Sequence, residues 1–136
     1  MTQEDKMLLI KDLSSRLPYG IHVQHISGVS CILHDISISI YHKYDENSNI
    51  CNVICYIDLF RDGSSIGIEQ FKPYLFPLSS MTDNQKQEYQ YITERWMYDS
   101  SYSISDSIDW LNKKHFDYRG LIEKGLAIDA TGLNIY

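Results

Sequence analysis

Between Cys31 and Tyr41 the chain keeps a two-residue rhythm. Ile32, His34, Ile36, Ile38 and Ile40 fall on one side, and Cys31, Leu33, Asp35, Ser37, Ser39 and Tyr41 on the other. Successive side chains of an extended strand project to opposite faces, so this pattern predicts a strand with one buried face and one at least partly wet. A strand-rich block from Ile21 to Phe71 follows from it. Ile21 to Ile26 forms the first strand, closed by Ser27-Gly28. After the turn Asp45-Glu46-Asn47-Ser48-Asn49 comes a third strand, Ile50 to Phe60. Arg61-Asp62-Gly63-Ser64-Ser65 reads as a hairpin loop, because Asp-Gly supplies the positive φ of a tight turn. Ile66 to Phe71 returns as a fourth strand. Connections this short imply an antiparallel meander.

Helical signals flank the block. Thr2 and Asp5 form a capping box, and Leu9, Leu13 and Leu17 make an apolar stripe that Pro18 and Gly20 end. Thr82 and Gln85 form a second capping box, opening a helix with Tyr89, Ile92 and Trp96 on one face. A third helix runs from about Ser105 to His115, with Ile104, Ile108 and Leu111 at helical spacing. A turn from Tyr118 to Lys124 ends at Gly125 in the C-cap role. Lys72-Pro73-Tyr74-Leu75-Phe76-Pro77-Leu78 reads as an extended crossing segment and not a regular central strand, since its two prolines lack the ladder donor. The expected architecture is α+β: an N-terminal helix, a four-stranded antiparallel meander, and C-terminal helices packed on one face of the sheet. Residues 1–136 read as a single domain.

The net charge of −6 argues against nucleic-acid and anionic-membrane partners, which require cationic surfaces. The only basic cluster, Lys113, Lys114 and Arg119, is interspersed with Asp106, Asp109 and Asp117 and reads as a mixed solvated face. Three cysteines and no apolar leader argue against a disulfide framework and place the chain in the cytoplasm. An acidic mimic of nucleic acid is compatible with the charge, but no clustering of charge suggests it.

Metal-ligating residue types are present as His22-x-x-His25, Cys31-x-x-His34 and Cys51-x-x-x-Cys55. Positions i and i+3 of a strand face opposite sides, and Cys51 and Cys55 lie about 13 Å apart in an extended chain, too far for one zinc. No metal and no cofactor are expected. A small metal-dependent or cysteine-dependent enzyme using His34 and Cys55 across adjacent strands is the alternative reading, and it needs the two to meet in space. No phosphate-binding glycine pattern appears.

Tyrosine is the unusual component, at eleven of 136 residues. Tyr89, Tyr91, Trp96, Tyr98 and Tyr102 gather around the second helix and the loop after it, more than one helix face can bury. Tyrosine is amphipathic and enriched at binding surfaces. Tyr91, Tyr98, Tyr102 and Tyr74 are therefore the candidate binding residues, for a protein partner or for self-association.

Two stretches and the opening helix also resemble known sequences: Lys72 to Thr82, Asp109-Trp110-Leu111-Asn112-Lys113-Lys114-His115-Phe116-Asp117-Tyr118-Arg119-Gly120-Leu121 through Ala127, and Lys11 to Gly20. They are similar to a family of small uncharacterised proteins of gut Bacteroides and of their phages or mobile elements. The resemblance covers both ends of the chain and implies such a source, and it carries over no activity. The expectation is a non-enzymatic cytoplasmic accessory protein of phage or mobile-element origin that binds a protein through a tyrosine-rich surface.

Overall fold

A computed structural model describes residues 1–33, 36, 41–44, 50–54, 56–58 and 65–136, with 41–44, 50–54, 56–58 and 65–66 described by backbone alone. The fold is α+β, with a helix at the N-terminus, a mixed sheet and helices toward the C-terminus. The chain divides into two compact units, Met1–Pro73 and Tyr74–Tyr136.

In the first unit, α1 (Gln3–Arg16) starts at the expected capping box: Thr2 Oγ1 accepts from Asp5 N, and Asp5 accepts from Thr2 N. Leu9 and Leu13 are fully buried, and Gly20 closes the segment with a φ of 70°. The same face holds an ion pair that its i,i+4 spacing permits: Asp12 and Arg16 are both 0% exposed, joined at 2.8 Å and 3.0 Å. β1 (His22–His25) and β2 (Ser30–Ile32) form an antiparallel hairpin in which Val23 faces Cys31. Leu33 N donates to Ile21 O, so the pairing continues one step beyond β2. Directly opposed residues share a face. Ile21, Val23 and Leu33 therefore line the buried side together, and Leu33 is 1% exposed where Ile32 is 41%. At this end of the alternating run the buried face is not the isoleucine face, because the ladder with β1 decides which side turns inward. His34, Asp35 and residues 37–40 lie outside the described residues.

The expected meander is replaced, among the described residues, by separate antiparallel pairs. β3 (Tyr41–Tyr44) pairs with β4 (Ile50–Ile54), and β5 (Tyr56–Asp58) with β6 (Ser65–Gly67). The expected third strand corresponds to β4 and β5, with Cys55 outside the described residues. In place of a fourth strand there is β6, a 3₁₀ turn over Ile68–Gln70, and β7 (Phe71–Pro77).

β7 corrects the reading of the proline-containing segment. Its first part pairs antiparallel with β1, with Val23 opposite Pro73. Ile26 N donates to Gln70 O. Bonded and non-bonded pairs alternate in an antiparallel ladder, so Gln24–Lys72 is a bonded pair and Pro73 takes a position that needs no donor toward β1. In the second unit, residues 74–77 pair in parallel with both β8 (Phe116–Asp117) and β9 (Ile128–Asp129), which makes this part a central strand. Phe76 N donates to His115 O, while Pro77, one residue on, turns its nitrogen to the other edge. The parallel partners make the sheet mixed and not purely antiparallel.

Two helices complete the second unit. α2 (Asp83–Arg95) begins at the expected Thr82–Gln85 capping box, and α3 (Ile104–Lys113) follows. Trp110, Leu111 and Phe116 form its core, with Phe76, Met81, Tyr89, Ile92 and Tyr118 packed against them. Trp110 and Phe116 stack at 5.7 Å. The expected faces shift here: Trp96, Ile104 and Ile108 are exposed, while Ser107, Trp110 and Leu111 of α3 face inward. Asp117 is buried and not part of a solvated face; its carboxylate accepts from the backbone N–H groups of Arg119, Leu121 and Ile122. Gly125 takes a φ of 70° and ends that turn as expected.

Candidate protein-binding surface

The last turn of α2 and the chain immediately after it carry Tyr91, Trp96, Met97 and Tyr98, all exposed. Their placement follows from local bonding. Met97 N donates to Glu94 O, and Tyr98 N and Asp99 N donate to Arg95 O, so the helix winds down tightly. Asp99 then accepts from the backbone N–H and the hydroxyl of Ser101, at 3.0 Å and 2.6 Å, in an Asx turn. The Ser101 hydroxyl and N–H hold the Asp99 carboxyl below its ordinary range, with a smaller contribution from Arg95. A turn fixed at both ends leaves Tyr98 projecting, at 86% exposure.

Arg95 organises the remaining tyrosines. Its guanidinium lies 4.9 Å from the centre of the Tyr91 ring and 4.8 Å from that of Tyr102. The same group donates to both phenol oxygens. Cation–π contact and hydrogen bonding thus hold two aromatic rings around one cation at the surface. Ordering these side chains in advance lowers the entropy lost when a partner binds.

Of the candidate binding residues, Tyr91 and Tyr102 come together around Arg95, and Tyr98 stands exposed in the same segment. Tyr74 does not: it is 5% exposed, sits in β7 within the core, and its carbonyl accepts from Tyr136 Oη at 2.8 Å. Sequence reasoning missed Met97 as a member of the surface and assigned Trp96 to the core. Trp96 is the C-cap of α2, still in helical conformation, and is exposed although its spacing from Tyr89 and Ile92 is helical.

The alternative enzyme residues, His34 and Cys55, lie outside the described residues. The described members of that chemistry are engaged structurally. Ser27 N–H and the Ser27 hydroxyl both reach His25 Nδ1, which fixes that nitrogen as acceptor and puts the ring proton on Nε2, facing Gln70 Oε1 at 3.1 Å. Burial pushes the Cys31 thiol above its ordinary range, away from the thiolate a nucleophile needs. Among the described residues no group of three or more His, Cys, Asp or Glu side chains could hold a metal ion, and no helix is long and apolar enough to cross a membrane. The chain matches no protein-family model, no curated protein and no solved structure.

Proposed function

We propose that the protein is a non-enzymatic cytoplasmic accessory factor, of phage or mobile-element origin, that binds a protein partner through the tyrosine-rich surface at the end of α2. One observation supports this above the others: Tyr98 stands almost fully in water, in the same short segment as the exposed Tyr91, Trp96 and Met97. Large exposed aromatic groups in one short segment lose favourable apolar burial until something covers them. Tyrosine, tryptophan and arginine are also the residue types that dominate binding energy at protein interfaces. The Arg95 clamp orders Tyr91 and Tyr102 within that segment.

The test compares the full-length protein with Tyr98→Ala and Tyr91→Ala, using Lys86→Ala on the same helix as control. Sedimentation equilibrium reads self-association, and quantitative affinity capture from the source organism reads other partners. Both tyrosine variants should melt like the parent and lose about tenfold or more in association, while the control keeps it. An identical partner set and sedimentation profile in parent and tyrosine variants would remove the basis of the proposal.

A further inference from the structure

A second feature of the Tyr74–Tyr136 unit is a cleft of ≈ 240 Å³, walled by the N-terminal end of α2, the end of α3 and the chain after β9. Phe76 and Phe116 line it, their rings 6.2 Å apart. Its polar groups are for the most part spent on the fold itself. Ser80 donates its hydroxyl to Pro77 O. Thr131 gives both its N–H and its hydroxyl to Asp129. Gln85 Oε1 accepts from Thr82 N, and Thr82 Oγ1 accepts from Gln85 N.

A cation and two further donors remain uncommitted. The Lys114 ammonium has no carboxylate within ion-pair distance among the described residues. The Gln85 amide NH₂ and the Thr82 hydroxyl hydrogen likewise have no acceptor among them. All three are donors; the Ser80 and Thr131 hydroxyl oxygens keep acceptor capacity beside them, but no Asp or Glu lines the cleft. A cleft that offers a cation and neutral donors beside the half-buried ring of Phe76 is complementary to a carboxylate on an aromatic body. The positive end of α2, whose first residue follows Thr82, acts in the same direction. The volume is below the roughly 300 Å³ at which drug-sized sites begin, so the ligand is of single-ring size.

We infer that this cleft binds a small aryl monocarboxylate, its carboxylate held by Lys114 and Gln85 and its ring packed on the half-buried ring of Phe76, which Phe116 backs from the core. The site is separate from the tyrosine surface and does not depend on it. Gln85→Glu is the sharpest variant: glutamate keeps the capping-box acceptor but replaces the NH₂ donor with a second negative oxygen.

The test is a titration of the full chain with benzoate, benzyl alcohol and inorganic phosphate, followed by amide ¹H–¹⁵N correlation spectra. Benzoate at up to about 10 mM should shift the Thr82, Gln85, Lys114 and Gly132 resonances saturably. Benzyl alcohol should bind about tenfold more weakly, and Lys114→Met and Gln85→Glu should each weaken benzoate by a similar factor with the remaining spectrum unchanged. No saturable shift, equal binding of the alcohol, or undiminished binding by both folded variants would overturn the site. Phosphate binding as tight as benzoate would overturn the aromatic part of the assignment.

Discussion

Replacing Arg16 with methionine should be among the most destabilising single changes in the Met1–Pro73 unit. Arg16 and Asp12 are both wholly buried, and the side-on pair uses two bonds, Nε to Oδ2 at 2.8 Å and Nη2 to Oδ1 at 3.0 Å. Methionine refills much of the stem volume, so the loss is mainly electrostatic. Removing one member of a buried pair leaves the other charge without its counter-ion, at a cost of about 3–5 kcal/mol. That is a large share of the ~5–15 kcal/mol by which a domain is stable. For a chain of this length each kcal/mol moves the melting temperature by about 3–5 °C, so the expected drop in Tm is roughly 10–25 °C. Arg16→Lys keeps the charge but loses the planar fork, and should fall between parent and Arg16→Met. The double variant Asp12→Leu with Arg16→Met replaces the pair by apolar groups and should return to within about 1 kcal/mol of the parent, or exceed it. Thermal and urea unfolding followed by circular dichroism measure all four proteins. The reasoning fails if Arg16→Met costs less than about 1 kcal/mol, or if the double variant is as unstable as the single one.

Two further outcomes follow from the second unit. Asp117→Asn exchanges a carboxylate that accepts three backbone N–H groups for an amide with a single acceptor oxygen, so urea unfolding should show a loss of about 2 kcal/mol. Asp99, lowered chiefly by Ser101, should titrate below the ordinary aspartate range by NMR and move up toward it in Ser101→Ala. Because the folded-state value is the depressed one, whatever stability this turn adds is present above the unfolded-state value and is lost as pH falls through the folded one.

Legibility in the sequence tracked how local each cause is. The Thr2–Asp5 and Thr82–Gln85 boxes join residues three apart, and the Gly125 cap depends on its own backbone, so each could be read from a few neighbouring letters. Tyr91 and Tyr98 were readable as exposed for a similar reason: more aromatic residues crowd that segment than one helix face can bury. Asp12 and Arg16 stood at visible i,i+4 spacing, but the same spacing is common on solvated helix faces, and only tertiary packing over that face of α1 makes the pair a buried one.

What only the tertiary structure decided is which groups end up opposite one another. Pro73 and Pro77 suit a paired strand because their nitrogens fall at positions where the neighbouring strand asks for no donor, and that phase is set by partners as distant as Val23 and Asp117. The same long-range pairing turns Leu33 inward in place of Ile32, carries Tyr74 into the core, and brings Lys114 and Gln85 to one cleft. Local letters set the backbone's preferred conformations, since those depend on sterics and bonds within a few residues. Burial depends on the whole ladder, in which a shift of one residue exchanges the two faces of a strand.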